Sequence, residues 1–520
     1  MPLRPPAVRG ASRKFYATVS SSSLPAALAS SKMKCDFIIR MHKFFRDIAA
    51  VFIVGFSALH ATGQSAPPTP DKPWHGKAED SLNRQLSALP DTKYSLDPAK
   101  AYTLSELIDL AEEHNPETRL AWQQAKARAA ALGIARGALY PTLAAVAAAN
   151  TSRVQVLLNS DFFRQTYGSI SPELHVEYLI FDFGGRGGAI DAAKANLLAA
   201  NFTFNDTHLK IIYQVTAAYY RLLNAMGQMD AAEASLKNAQ AVEEDAQDRL
   251  NHGLATKPDV LEATASTAQA QYDLQSVIGA EEIARGDLAT VMGLPPQTVY
   301  HVQDVNELKM PGEITQSIDA AIDHAFEQRP DLKAQLAQLR ASDAAIRQVK
   351  SRYYPTLSIS GNGGLTRAYG QQGQLPPGYV GSEVWDVTLG LQWTLFDGGR
   401  REHQIAQARA EKAATLAEIN SLRDQIANEV WAAYSNVKTA QRQQQAAAAL
   451  LTSADQSYAA ARESYGYGVR NLLDVVSAQK TLAQARTEDV TARTQLLLQL
   501  ANLAFRTGDL LTVPPPKAGP

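Results

Sequence analysis

The chain has 520 residues, 45% of them apolar and 20% charged, so it can bury a core and wholesale disorder is excluded. A net charge of −2 and a pI near 6.6 leave no electrostatic footprint for nucleic acid. The single Cys35 excludes an intrachain disulfide framework and a cysteine-based zinc cluster. A mean hydropathy of −0.22 speaks against a bundle of membrane helices, but not against a membrane β-barrel, whose inward positions are polar.

The first feature along the chain is the apolar run Ile48 to Leu59, too short to span a bilayer comfortably. Lys43 and Arg46 precede it, and small residues with Gln64-Ser65-Ala66 follow. That is the layout of a secretory signal peptide over residues 1–63, with cleavage expected between about Ala61 and Ala66. Met33 or Met41 would be the more usual start of such a signal. Cys35 lies ahead of the apolar core, so no lipid anchor is expected. Residues 64–100, with Pro67, Pro68, Pro70 and Pro73, read as an extended leader.

Thr103-Leu104-Ser105-Glu106 is a capping box that opens a short helix ending near Asn115. Pro116 suits the first turn of the next helix, which runs to about Gly137. Strands are expected at about 142–156 and 172–181, the second with Leu174, Val176, Tyr178 and Ile180 alternating with Glu173, His175 and Glu177. A long helix then covers about 190–252. In it Ile212, Val215, Tyr219, Leu222, Met226, Met229 and Leu236 mark a heptad seam. A glycine-containing turn at about 253–259 reverses the chain, and a second helix returns from Pro258 to about Met292.

The whole pattern is then written again. Tyr140-Pro141-Thr142-Leu143 returns as Tyr354-Pro355-Thr356-Leu357, Asn115-Pro116-Glu117 as Arg329-Pro330-Asp331, and Gly184-Gly185-Arg186 as Gly398-Gly399-Arg400. On that pairing Phe183 is an extra residue of the first copy. The repeats occupy about 101–310 and 311–508, with a tail over 509–520. In the second copy strands are expected at about 355–366 and 384–396, a helix at about 401–464, a turn at about 465–474 and a returning helix to about Phe505. Trp385, Val387, Leu389, Leu391, Trp393 and Leu395 alternate strictly with polar residues, as in a tilted strand with one face in lipid. A soluble half-buried sheet gives the same alternation in one strand; two strand pairs at equivalent points behind a signal peptide favour the membrane.

Catalytic motifs fail on inspection. Asp182-Phe183-Gly184 has no accompanying lysine strand or catalytic loop, and Gly184–Gly188 lacks the lysine and hydroxyl of a phosphate loop. The glycines Gly184, Gly185, Gly398 and Gly399 read instead as corners where a strand becomes a helix. No HExxH spacing and no acid–base pair is marked out, so no enzyme, metal or cofactor is expected.

Three sets of residues now carry a family likeness. They are Tyr140-Pro141 with Tyr354-Pro355, Phe181–Arg186 with Phe396–Arg400, and the run Tyr467 to Val475. Together they resemble the TolC-like outer-membrane efflux proteins over about residues 101–508. The resemblance implies a mixed fold, all-α plus membrane β. Each protomer of a homotrimer would give four strands to one twelve-stranded outer-membrane barrel, continued by a periplasmic α-barrel of coiled-coil hairpins. It implies a passive export duct for small molecules or secreted proteins, set in outer-membrane lipid of a Gram-negative cell. Its partners would be a periplasmic adaptor and an inner-membrane transporter of RND, ABC or MFS type. By the same resemblance Asp259 would pair with Tyr465 and Arg470, and Asp474 would face the periplasmic constriction. Both aspartates also suit the positive ends of their helices. Where some members carry a second acidic residue, this chain has Ser477. The alternative from another class is a structural coiled-coil envelope protein with a small soluble β head.

Overall fold

The computed structural model describes residues 77–88, 96–97, 100–158, 161–303, 317–372, 376 and 378–511. The expected signal segment and the tail beyond 511 lie outside them. Lys77–Ser87 forms a helix (α1) in the N-terminal of two compact units. The extended reading of the leader is corrected there: KAEDSLNRQLS has neither glycine nor proline, and Leu82 and Leu86 stand one turn apart.

The second unit begins with the short strand β1 (Ala101–Tyr102), paired in parallel with β4 (His301–Val302). Helix α2 (Leu104–His114) opens on the capping box: Glu106 N–H donates to Thr103 Oγ1 at 3.3 Å, and Thr103 N–H to Glu106 Oε2 at 3.0 Å. Asn115 closes α2 and caps α3 (Pro116–Gly137), its Oδ1 accepting from Glu117 N–H at 2.7 Å. The equivalents in the second copy are α6 (Ile318–Gln328) and α7 (Pro330–Ser351). Arg329, standing where Asn115 does, cannot cap with an acceptor. Its guanidinium instead binds Asp331 at 2.6 Å and Glu429 at 2.7 Å, and Glu429 also takes Arg506 at 2.9 Å.

Two helices dominate the molecule. α4 (Gly185–Asn251) and α8 (Arg400–Gly466) are each 67 residues, on the order of 100 Å long at about 1.5 Å per residue. α5 (Lys257–Val291) and α9 (Leu472–Thr507) return beside them. Both tips turn in the same way. Gly253 (φ +73°) and Gly468 (φ +75°) take the left-handed conformation, and Leu254 and Val469 donate back to Arg249 and Ser464. The glycine N–H groups donate as well, to Leu250 and Tyr465, and such a pair of hydrogen bonds at a left-handed glycine ends a helix sharply.

The heptad seam holds only in part. Val215, Tyr219 and Leu222 are buried against Leu107, Leu288 and Tyr300, and Ile212 is buried outside that cluster, where its neighbour Ile211 takes part instead. Further down, Met226, Met229 and Leu236 are only half-buried, and the core passes to Ala239, Val242 and Ala246. There Val242 and Ala246 of α4 share one cluster with Ala454, Tyr458, Ala461 and Tyr465 of α8 and with Val475, Leu482 and Ala485 of α9, which lies against both long helices.

The sheet order is β2 (Thr142–Leu158), β3 (Asp161–Phe181), β5 (Thr356–Gln372), β6 (Gly378–Gln392), every pair antiparallel. Leu389, Ile359 and Tyr178 share one row of one face; Asp386, Asn362 and His175 share a row of the other. Along the polar row His175 Nδ1 meets Asn362 Oδ1 at 2.6 Å, and Asn362 Nδ2 donates to Asp386 at 3.0 Å. β3 begins some eleven residues before the expected 172 and β6 stops at Gln392, short of 396. A 17-residue strand is about 55 Å long, more than a bilayer core needs, and beyond the lipid both faces meet water, so the alternation lapses.

At the strand-to-helix corners the register of the duplication is corrected. α4 starts at Gly185 and α8 at Arg400, so Gly184 (φ +89°) matches Gly399 (φ +84°) and Phe183 (φ +53°) matches Gly398 (φ +68°). Phe183 is therefore not an insertion. Arg186 and Arg401 do the same job: each donates its backbone N–H to an aspartate four residues earlier (Asp182, 2.6 Å; Asp397, 3.1 Å) and reaches back to a carbonyl six residues earlier, Ile180 at the end of β3 and Leu395 just past the end of β6. Gly185 has ordinary φ; a Cβ there would lie 2.7 Å from Ser351 Oγ.

Helix approach is tightest at Gly188, where a Cβ would lie 2.7 Å from the backbone nitrogen of Gln348 on α7. Gly188→Ala is expected to destabilise the unit by about 1–3 kcal/mol, since backbone cannot step aside. Gly133→Ala, with nothing within 4 Å, is expected to be neutral or stabilising by up to about 1 kcal/mol. The loss of helical circular dichroism on heating separates the two.

Candidate functional site

The tips of the two helical hairpins carry the residues singled out in the sequence. Asp259 and Asp474 are the third residues of α5 and α9, so the duplication places them alike. Their chemistry differs. Asp259 Oδ2 accepts from the Thr256 N–H at 2.8 Å and from its hydroxyl at 2.7 Å. Those bonds hold its carboxyl below the usual range, with slight burial opposing them. Asp474 contributes only its backbone N–H, which donates to Asn471 Oδ1 at 2.9 Å. Its half-buried carboxylate makes no hydrogen bond or ion pair among the described residues.

Asp259 is brought together with Thr256, not with Arg470. Arg470 is exposed, and among the described residues its guanidinium has no partner; only its backbone N–H donates, to Ser464 at 3.4 Å. Tyr465 is 9% exposed, and among the described residues its buried hydroxyl has no hydrogen-bond partner. Burial pushes its phenol pKa up; the Arg249 guanidinium opposes the rise, and the charges of Asp259 and Asp245 add to it.

Arg249, on the last turn of α4, is the residue that sequence reasoning missed. Its guanidinium lies 4.5 Å from the Tyr465 ring centroid and donates through Nη1 to the Tyr465 carbonyl. It also reaches the Gly466 carbonyl at 3.4 Å. One turn higher, Arg462 of α8 pairs with Asp245 of α4 at 3.3 Å. These two links tie the first hairpin to the second inside one protomer. Beside them opens a cavity of about 680 Å³, lined by Asp245, Asp248, Asp455, Tyr458, Arg462 and Glu463 among others. A basic residue in a last helical turn reads in sequence as complementing the helix dipole, and a bond to a distant backbone carbonyl leaves no trace in residue types.

The arrangement is one of reversible polar links across packed helices. It offers no nucleophile–base pair, and among the described residues no group of three or more metal-ligating side chains. The corner residues Gly184, Gly398 and Gly399 sit at the far end of the long helices from these tips.

Comparison with known proteins agrees with this architecture. The family model described as outer membrane efflux protein matches residues 107–294 and again 321–509, more than half of the chain. Protein CyaE of Bordetella pertussis is 27% identical over 414 residues, covering 78% of this chain and 84% of its own. The pyoverdine export outer membrane protein OpmQ of Pseudomonas putida is 25% identical over 442 residues, covering 81% and 88%. Among solved structures, the outer membrane protein VceC of Vibrio cholerae superposes with a TM-score of 0.64 at 22% identity, over 78% of this chain and 96% of that one.

The Asp259 bonds have a definite pH dependence. A carboxyl whose pKa is depressed on folding contributes fully above its ordinary value of 3.8, and the contribution is lost as pH falls through the lower folded value. The protection of the Thr256 amide hydrogen, relative to the intrinsic exchange rate at each pH, is therefore expected to fall in acid. In Asp259→Ala that protection should already be low at neutral pH, with a local loss of about 0.5–2 kcal/mol, as for other lost helix caps.

Proposed function

The chain belongs to the outer membrane efflux protein family, and from that premise we propose that three copies of it close into one passive duct with a single twelve-stranded barrel. It is an exit channel of the Gram-negative outer membrane that extends into the periplasm, and it serves a tripartite export system. The observation that carries the assembly is the sheet order, which leaves β2 and β6 each with an open edge. In hydrocarbon every unpaired backbone group costs several kcal/mol, so β6 of one copy must pair with β2 of the next. The helices would continue as a barrel through the periplasm. A periplasmic adaptor would grip the tips, and an inner-membrane transporter of RND, ABC or MFS type would supply the energy. The duct itself would hydrolyse nothing and hold no cofactor. Family membership favours this reading over the structural coiled-coil alternative.

The tip would be the gate. Arg249 and the Arg462–Asp245 pair hold the two hairpins together here, with Asp259 at the tip of the first hairpin and Tyr465, Arg470 and Asp474 at the tip of the second. Opening would be an untwisting of one hairpin against the other. Exposed charged pairs are worth about 0–1 kcal/mol each, so contacts with an adaptor could outweigh them. Arg470, whose guanidinium has no partner among the described residues, would reach a neighbouring copy. Three Asp474 carboxylates would then form an acidic ring about the axis.

Two measurements test this. Leu389→Arg, on the apolar face, is expected to cost about 2–4 kcal/mol and to reduce the heat-modifiable trimer, while Thr388→Arg, at the same depth on the polar face, is tolerated. Equal loss at both sites would remove the barrel. In planar bilayers Arg249→Ala should raise single-channel conductance, Tyr465→Ala should raise it less because the carbonyl that Arg249 holds remains, and the double change should add little to Arg249→Ala. Asp474→Ala should lower cation preference, most at low salt. A channel indifferent to all of these would place the constriction away from the tips.

A further inference from the structure

The strand-to-helix corners carry an exposed surface that neither the core nor the gate uses. After β6 ends, Trp393, Leu395 and Phe396 leave the ladder and stand 57%, 75% and 87% exposed. The Trp393 indole N–H donates to the Tyr353 carbonyl at 3.0 Å, which fixes the ring beside the end of α7. In the other copy Phe183 holds a left-handed backbone where its counterpart is glycine, an uncommon state for a bulky side chain. Its ring stacks on Tyr354, centroids 4.9 Å apart, and edge-on to Phe181 at 4.7 Å, yet Phe183 and Tyr354 remain 45% and 54% exposed. The backbone strain is not offset by burial within the protomer.

A basic pair lies next to these rings. Arg401 performs the corner duty that Arg186 performs in the first copy, and its aspartate, Asp397, is already taken at 2.9 Å. Arg400 is therefore spare. It is exposed, it begins α8 at the helix end that disfavours a cation, and it has no ion pair among the described residues. Arg352 is also exposed, with its Nη1 on Gln404 Oε1 at 2.8 Å. Gln404 lies one turn after Arg400 on the same face of α8, so the bond from Arg352 to Gln404 brings both arginines to one side of the helix, while the exposed Glu402 stands about half a turn round from it.

We propose that this collar is a lipid-binding surface at the periplasmic boundary of the outer membrane. The rings would sit at the level of the headgroups, and Arg352 with Arg400 would clasp the phosphate of an anionic glycerophospholipid. The collar runs on directly from the lipid-facing row Val387, Leu389 and Leu391, so bilayer is what meets its upper edge. Tryptophan and tyrosine favour that interface, and paired guanidiniums match a phosphate. The inference rests on the outer-membrane placement of the barrel, and not on the gate.

The test uses the assembled protein in nanodiscs of phosphatidylcholine with a minority of phosphatidylglycerol. Bromine on the upper acyl carbons should quench Trp393, read as the difference between wild type and Trp393→Phe. Native mass spectrometry should find phosphatidylglycerol enriched on the wild type, with about a fivefold loss of preference per arginine in Arg352→Gln and Arg400→Gln. Arg400→Lys should keep most of it, and inorganic phosphate should not displace the lipid. If the double variant does not assemble, Arg400→Gln alone serves, because the Arg401 corner is untouched. An unquenched Trp393 would mean that a neighbouring copy covers the collar, and unchanged enrichment in Arg400→Gln would mean that the basic pair binds no lipid; either overturns the proposal. Single-channel conductance of the same preparation shows separately whether the duct has formed.

Discussion

An open strand edge in lipid is a row of backbone donors and acceptors with nothing to bond. The protomer has two such edges, and much of its architecture can be traced to their closure. A barrel shared among copies needs strands that tilt, and each must hand over to a helix running a different way. Left-handed residues make that turn in both repeats, and an arginine reaching back to a carbonyl at or just past the strand end holds it. The 67-residue helices leave those corners already aimed.

Duplication supplies the plan, and local chemistry fills it differently in each copy. Asn115 caps α3 with its side-chain oxygen and reaches the Val291 carbonyl at 2.8 Å. Arg329 in the same place gathers Asp331, Glu429 and, through Glu429, Arg506. The first solution is a buried neutral amide that fastens the α2–α3 junction to the end of α5. The second is an ion network that fastens α7, α8 and α9 to one another. The two hairpins of a protomer are thus anchored by different chemistry at the ends away from the tips.

Much of this was legible in the sequence where a residue type has one physical use. Gly253 and Gly468 fixed the tips because a left-handed residue ends a helix, and the Thr103–Glu106 box fixed a start. The far ends of the strands were not legible, since alternation is written only where one face meets lipid. The corner register was misread because Gly-Gly-Arg was matched by identity. Backbone conformation pairs Phe183 with Gly398, and only one of those two residues advertises it. The tip pairing was expected between opposite side-chain charges, Arg470 and Asp259. The structure ties the hairpins through Arg249 to a carbonyl, an acceptor that every residue possesses.

The alanines in the lower seam have a mechanical consequence. Ala239, Ala246, Ala263, Ala454, Ala461 and Ala485 are almost fully buried there, and each offers a single methyl group to its neighbours. Large interdigitated side chains lock helices in register, because rotation must drag each knob out of its hole. Methyl groups form a nearly smooth bearing. Between those methyl contacts the same seam holds Tyr458, Tyr465 and Leu482 as larger knobs. If the tips gate the duct as proposed, the helices would roll only as far as those few knobs allow, and the polar links at the tips would act as detents that set where they rest.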